Sequence, residues 1–178
     1  MSTDAYRWAS ARTLPDLAAL CIAWLDGEVY ETPLYEGAPC EDKLSLATIL
    51  TAVNRAGFVT DNAGRAGQYE SAWVEGYADD ATEARLRATV AGTPLTYCAN
   101  RRFDPLREGV AEDWDAWTAF CPAAEAALIG AWFVAIEDAR PGRDDVLWPA
   151  LEAFALDGAN RRRVTVGKQF RLRARGRS

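Results

Sequence analysis

The sequence predicts an α/β fold, a single-domain sandwich with a small central sheet of three to four strands and flanking helices. Segments with apolar side chains at helical spacing alternate along the chain with short segments rich in β-branched and aromatic residues. A chain of 178 residues with 49% hydrophobic content can also bury a core of its own. The continuous apolar run Trp132–Ile136 is typical of a central strand covered on both faces. We therefore expect one α/β domain over 1–160, followed by a basic tail over 161–178.

The first predicted helix is marked at both of its ends. Thr13 can cap this helix, and Asp16, its third residue, suits the positive end of the helix dipole. Gly27 ends it, because glycine adopts the left-handed conformation at low cost. Residues 28–41 contain two prolines and predict a loop or an irregular strand.

The next stretch is the most informative part of the chain. A second helix is expected over about 41–56, since its apolar residues recur at helical spacing. Phe58–Thr60 then favours a short strand, and Tyr69–Tyr77 favours a second one. Between them, Asp61–Gly67 contains two glycines and no large apolar side chain, which predicts a loop that is exposed, flexible or closed over something, and a place for a ligand.

The second half of the chain continues the alternation. Asp80 and Glu83 have the spacing of a capping box, Pro122 suits the first turn of a helix, and Asp144 or Asp145 can cap the final helix. The expected elements are, in order, a helix over 81–91, a strand over Pro94–Ala99, a loop over Asn100–Glu112, a short packed helix with Trp114, Trp117 and Phe120, a helix over 123–129, the strand Trp132–Ile136, a turn over Arg140–Arg143 and a final helix before Gly158.

The composition excludes several kinds of site. The chain has no histidine, which rules out a Ser-His-Asp triad, a Cys-His pair and an imidazole metal site. Its cysteines lie far apart without a CxxC pair, so we expect buried free thiols and no metal: Cys21, Cys40, Cys98 and Cys121. No apolar run approaches the roughly 18 residues of a membrane span, and the N-terminus lacks the pattern of a signal peptide. We therefore expect a cytoplasmic protein with no membrane partner.

The charge is unevenly distributed. Of the 20 Lys and Arg residues, eight lie in 161–178, where there is no acidic residue, and the other 12 are outnumbered by 26 Asp and Glu residues. The tail therefore carries a formal charge of +8 and the rest of the chain −14. An acidic body repels nucleic acid, so a nucleic-acid partner is expected only through the basic tail.

Two segments together resemble a known family. Asn54–Thr60, a polar loop and Tyr69–Tyr77 are similar to the C-terminal regulatory domain of eukaryotic methylenetetrahydrofolate reductase. That domain has a similar helix end, an L-T-I-N-S-Q-P loop and an F-Q-K-A-Y-L-E-F-F strand. The order of elements agrees over roughly 14–156. The resemblance implies a free-standing sensor domain that binds S-adenosylmethionine or its demethylated product. It implies neither the flavin-containing barrel nor folate reduction.

Four residues are candidate ligand contacts, and the resemblance implies three of them. Asp42 keeps the acid of an acid-Thr pair, whose hydroxyl is lost at Lys43, while Thr60 and Asn62 keep the Thr and Asn of the family loop. Arg65 departs from the family and is an anion partner beside two glycines. Each residue also has a simpler role: Asp42 at a helix start, Thr60 and Asn62 at a strand end and turn, and Arg65 as a solvated surface charge.

Three functional hypotheses remain open from the sequence. The first is a small-molecule binding or sensing domain for S-adenosylmethionine-like or nucleotide-like ligands, with no bound cofactor. The second is an interaction protein that kept the fold and lost the ligand, and that engages a protein or a nucleic acid through its acidic body or basic tail. The third, an enzyme, is disfavoured because the chain lacks histidine and any nucleophile motif.

Overall fold

The predicted α/β sandwich is confirmed by a computed structural model, which describes residues 3–101 and 110–159. Within these ranges, seven helices flank a four-stranded sheet. The helices are α1 (Thr3–Ser10), α2 (Leu14–Leu25), α3 (Glu41–Arg55), α4 (Asp80–Val90), α5 (Val110–Phe120), α6 (Glu125–Gly130), preceded by a 3-10 turn at Pro122–Ala124, and α7 (147–159). The strands are β1 (Val59–Gly64), β2 (Ala72–Ala78), β3 (Thr96–Arg101) and β4 (Trp132–Asp138).

The sheet is antiparallel throughout and has the strand order β1-β2-β4-β3. The predicted central place of the apolar run is confirmed, because β4 pairs with β2 on one side and β3 on the other. Its two faces are not equally covered: Val134 and Ile136 are fully buried, whereas on the other face Phe133 is buried and Glu137 is exposed. Full cover on both faces was therefore a wrong expectation, as an antiparallel sheet tolerates one partly solvated face.

Helices cover both faces of the sheet. On one face, Tyr97 of β3 donates a hydrogen bond to the carboxylate of Glu83 in α4 over 3.0 Å. On the other face, the rings of Tyr77 in β2 and Trp117 in α5 lie 5.4 Å apart, and Trp117 also meets Trp8 of α1 edge-on. These aromatic contacts close the core beneath the half of the sheet that carries β1 and β2.

The predicted start and end of α2 are confirmed. The Asp16 backbone N–H donates to the Thr13 hydroxyl, and the Asp16 carboxylate accepts from the Thr13 N–H, which forms a complete capping box. Gly27 follows the helix with a φ of 77°, in the left-handed region that glycine favours. The boundaries of α3 agree with the prediction in the same way, with Gly57 beyond its end at a φ of 103°.

Two local predictions were wrong. The loop expected over Asp61–Gly67 begins later, because β1 continues to Gly64. The cap of α4 is Asp79, whose carboxylate accepts from the Thr82 N–H over 2.7 Å, while Glu83 binds Arg87 and Tyr97 instead. Neither boundary follows from composition, since backbone pairing with β2 and contacts from neighbouring helices override local propensity.

The last part of the chain agrees in outline. The turn at Arg140–Arg143 contains Gly142 at a φ of 72°, and a helix follows it. Asp144 precedes that helix, but its carboxylate accepts hydrogen bonds from the Ala66 backbone N–H and the Trp148 indole N–H, which are not the contacts of the predicted helix cap. The packed helix α5 contains Trp117, as predicted. Three features lie outside the described residues: the Trp114 side chain, part of the loop predicted over Asn100–Glu112, and the tail 161–178.

The cysteines agree with the prediction only in part. Cys21 and Cys121 are buried free thiols, and burial raises the pKa of Cys121 to about 12 and the pKa of Cys21 above its usual range as well. Both thiols are therefore protonated and unreactive at neutral pH. Cys40 is exposed and Cys98 is half-buried, so the expectation of buried thiols was wrong for Cys40.

Candidate functional site

The four predicted ligand-binding residues lie in three different places. Thr60 and Asn62 line a small cavity along the outer edge of β1, where α2 and α3 cover the strand. Arg65 lines a separate and much larger groove. Asp42 lies exposed in the first turn of α3 and lines neither space. The structure therefore does not bring the four residues together into one site.

A β-bulge separates Thr60 from Asn62. Thr60 pairs with Gly76 and Asn62 pairs with the adjacent Glu75, so the register shifts by one residue between them. In a regular strand, residues two apart point to the same face of the sheet. The extra residue, Asp61, turns the two side chains to opposite faces. They consequently meet different partners.

The side chain of Thr60 is held by α3. Its hydroxyl accepts a hydrogen bond from Asn54 Nδ2 over 2.6 Å, and its backbone N–H donates to Asn54 Oδ1 over 3.2 Å. Asn54 in turn donates to the carbonyl of Leu50 within the helix. Thr60 is 9% exposed. These contacts give it the structural role of joining α3 to β1.

The side chain of Asn62 accepts hydrogen bonds from a buried lysine and a tyrosine. Lys43 Nζ donates to Asn62 Oδ1 over 2.5 Å and to the carbonyl of Ala63, and the Tyr35 hydroxyl donates to the same Oδ1. The Lys43 side chain is 7% exposed, and its ammonium lies 5.3 Å from the Tyr35 ring centroid and 5.7 Å from that of Trp73. The two ring faces add cation–π stabilisation to this cluster.

Sequence reasoning missed the role of Lys43, although the sequence contains a signal for it. Lys43 lies three residues before Leu46 and seven before Leu50, so it occupies the core-facing side of α3. A lysine on that face must find acceptors inside the protein. Tyr35 and Trp73 could not be found in this way, because they come from distant parts of the chain.

Burial also changes the acidity of Lys43. Loss of hydration lowers the pKa of this lysine, and the opposing effects of Cys40, Glu75, Asp61 and Asp42 do not restore it. Its pKa is therefore lower in the folded state than the usual 10.5 of the unfolded chain. Between the lowered pKa and 10.5, the unfolded state binds more protons than the folded state. The free energy of unfolding therefore rises as the pH rises toward 10.5.

The cavity beside Lys43 is too small for an adenosyl ligand. Its volume is about 20 Å³, enough for roughly one water molecule, and the side chains of Trp24, Tyr35 and Trp117 close it. Pockets for drug-sized molecules have volumes of roughly 300–1,000 Å³. The Lys43 cluster is therefore a structural polar network.

Replacing Asn62 with alanine should destabilise the protein by about 1–3 kcal/mol. The substitution removes the oxygen that accepts from Lys43 and Tyr35, and it leaves a buried ammonium with fewer partners. Asp42→Ala, on the exposed side of α3, should change stability by less than about 1 kcal/mol. Urea unfolding followed by circular dichroism measures both. Equal effects of the two substitutions would contradict the structural role of Asn62.

The larger space is a groove between α3 and α7 with a volume of about 800 Å³. Most of its surface is apolar, and Leu156 at its margin is 66% exposed. On each helix the lining residues recur with the i, i+3, i+4, i+7 pattern of one helix face. They include Ser45, Thr48, Ile49, Ala52 and Arg55 of α3, and Trp148, Glu152, Ala155 and Leu156 of α7.

Charged side chains of both signs line this groove. Arg55 of α3 and Arg65 of the loop after β1 supply guanidinium groups, and Glu152 of α7 supplies a carboxylate. Arg65 forms an ion pair with Asp144 in which Arg65 Nε lies 3.0 Å from Asp144 Oδ2. A mostly apolar groove with a few cationic and anionic side chains suits a ligand that has an apolar part and charged groups of both signs.

A family model described as Domain of unknown function (DUF6919) matches residues 3–104. No curated protein matches the chain. The matched span contains α3 and Arg65 but ends before α7, so it includes one wall of the groove and not the other. Within the described ranges there is no cluster of His, Cys, Asp or Glu that could hold a metal ion, and no helix is long and apolar enough to cross a membrane.

Proposed function

The chain belongs to the family described as Domain of unknown function (DUF6919), whose description assigns no activity, and from the geometry of the groove we propose that it is a small-molecule binding or sensing domain. The ligand occupies the groove between α3 and α7. The observation that carries this proposal is an open groove of about 800 Å³ with an apolar floor and three charged side chains. Its volume lies within the range of small-molecule sites.

The groove suits an S-adenosylmethionine-like ligand for chemical reasons. Such a molecule carries a carboxylate, an ammonium group, a sulfonium group and a flat adenine ring. Arg65 can pair with the carboxylate, Glu152 can pair with the cationic groups, Arg55 adds a second guanidinium to the lining, and the apolar side chains of Ile49 and Leu156 can cover the adenosyl part. The resemblance to the methylenetetrahydrofolate reductase regulatory domain favours the same ligand class.

This proposal changes the place of the ligand. The sequence predicted a site near Thr60–Gly67 and the start of α3, including Thr60 and Asn62. The side chains of those two residues are hydrogen-bonded within the fold. Arg65 is the one predicted residue that lines the groove. The proposal therefore keeps Arg65 and adds Arg55 and Glu152.

Isothermal titration calorimetry tests the proposal. We expect S-adenosylmethionine or S-adenosylhomocysteine to bind with a dissociation constant of about 1–100 μM, equivalent to roughly 5–8 kcal/mol of binding free energy. Adenosine monophosphate, which shares the adenine but lacks the amino-acid end, serves as the comparison and should bind more weakly. Absence of heat with all of these compounds, using protein shown to be folded, would contradict the proposal and leave the interaction-protein alternative.

A further inference from the structure

Asp144 joins three parts of the fold at the margin of the groove. Its Oδ2 accepts from Arg65 Nε over 3.0 Å, and its Oδ1 accepts from the Ala66 backbone N–H over 2.9 Å and from Trp148 Nε1 over 3.0 Å. Arg65 and Trp148 both line the groove, and each donates a hydrogen bond to this carboxylate. Asp144 therefore ties the loop after β1 to the first turn of α7.

A second contact fastens the same loop. The Gly142 backbone N–H donates to the carbonyl of Glu70 over 3.2 Å, and Gly142 adopts a φ of 72° in the turn that carries it. The loop between β1 and β2, residues 65–71, is thus attached to the segment before α7 near both of its ends. A binding group on such a loop loses little conformational entropy when a ligand arrives.

The bond to Asp144 leaves part of the Arg65 guanidinium available. A guanidinium has five N–H donors, and the described hydrogen bond uses Nε–H. The Arg65 side chain is 46% exposed, and the residue lines the groove. The Nη groups can therefore receive a second carboxylate, and two parallel hydrogen bonds from one guanidinium are a common way to bind such a group.

We propose that Asp144 is a positioning residue, which holds Arg65 so that its guanidinium recognises the carboxylate of the ligand in the groove. This inference rests on the proposed function and deepens it, because it names the chemical group that sets specificity. It predicts that the site prefers ligands with an amino-acid carboxylate over otherwise identical ligands without one. It also predicts that the preference depends on Asp144, which need not touch the ligand.

Asp144 is ionised at neutral pH, as this role requires. Partial burial raises the pKa of Asp144, but the hydrogen bonds from Ala66, Trp148 and Arg65 outweigh burial and keep the pKa below the usual 3.8. The contribution of these contacts to stability is therefore present above pH 3.8 and is lost as the pH falls through the lowered pKa. The recognition of a carboxylate should accordingly be constant across neutral pH.

A matched pair of ligands tests the inference directly. S-adenosylmethionine and its decarboxylated form differ by the carboxylate alone. We expect the wild-type protein to bind the first about tenfold more tightly, since a charge-assisted pair of hydrogen bonds is lost with the second. Asp144→Asn should remove most of this preference, because asparagine retains an acceptor for Ala66 but cannot form the ion pair. Arg65→Lys should reduce it as well, since a lysine offers no planar fork.

Asp145→Asn is the control substitution. Asp145 is exposed and pairs with Arg143, with Arg143 Nε 2.7 Å from Asp145 Oδ1. Its replacement removes the same charge one residue away and should leave the ligand preference at the wild-type value. Equal affinity of the wild type for the two ligands would overturn the inference, and so would an unchanged preference in Asp144→Asn.

A second measurement decides the inference even if neither adenosyl compound binds. The side-chain Nε–H signal of Arg65 in ¹⁵N-labelled protein is followed by NMR while sodium acetate is added at constant ionic strength with chloride. A saturable shift in the wild type that is absent in Asp144→Asn would support the carboxylate site, although the proposed function would then have failed. No shift in the wild type, or an equal shift in Asp144→Asn, would overturn it.

Discussion

Gly76→Ala should lower the free energy of unfolding by more than about 3 kcal/mol, the largest effect that we expect from any single methyl group in this protein. A Cβ atom at Gly76 would lie 2.0 Å from the carbonyl oxygen of Val59 and 2.9 Å from the Cα of Thr60. Both neighbours are backbone atoms, so no side-chain rotation can relieve the overlap. The strand β1 would have to move away from β2.

That movement would disturb more than one strand pair. The register of β1 against β2 places Thr60 opposite Gly76, next to the bulge that turns Asn62 toward Lys43. Separation of the strands would therefore also weaken the hydrogen bonds that α3 makes to β1. Urea unfolding with circular dichroism measures the loss.

Gly130→Ala provides the control for the glycine substitution. A Cβ atom at Gly130, at the end of α6, would have no heavy atom within 4 Å beyond its own helix and chain neighbours. This variant should be within about 1 kcal/mol of the wild type, and a slight gain is expected because alanine favours the helix. If Gly76→Ala were as stable as Gly130→Ala, the strand register that underlies the site would be wrong.

Ala52→Trp should reduce the affinity for S-adenosylmethionine by more than about tenfold, the largest effect that we expect on function. Ala52 lies on the face of α3 that lines the groove, and it is half-buried there. An indole at this position fills part of the space between α3 and α7. The effect on stability should stay within about 1–2 kcal/mol, because the indole enters an open groove and not the packed core.

Ala153→Trp is the matched control for that substitution. Ala153 lies on α7 but is exposed and is not among the residues that line the groove. Calorimetric titration of both variants separates occupation of the groove from a general effect of adding tryptophan. Wild-type affinity in Ala52→Trp would show that the ligand binds elsewhere.

Much of the fold could be predicted, because single residues mark the ends of its elements. Thr13 and Asp16 close the capping box of α2, and Gly27 and Gly57 end α2 and α3 in left-handed conformations. The place of β4 at the centre of the sheet follows from an uninterrupted apolar run, Trp132–Ile136. These signals are local, and local physical chemistry is sufficient to interpret them.

The candidate site could be predicted only in part, since its determinants are not local. The sequence Asp61–Gly64 looks like a loop, yet pairing with β2 makes it a strand. A single bulged residue then decides that Thr60 and Asn62 point to opposite faces. The groove needs two helices that are far apart in the chain, and Arg65 meets Asp144 across 79 positions. None of these pairings has a signature in the sequence.

The position of the ligand in a crystal structure with S-adenosylmethionine or S-adenosylhomocysteine tests the central claim most directly. We predict density for the ligand in the groove between α3 and α7, with its carboxylate within hydrogen-bonding distance of the Arg65 guanidinium and with the Lys43–Asn62 contact unchanged. Density at the cavity beside Lys43, or crystals grown at saturating ligand with an empty groove, would contradict it.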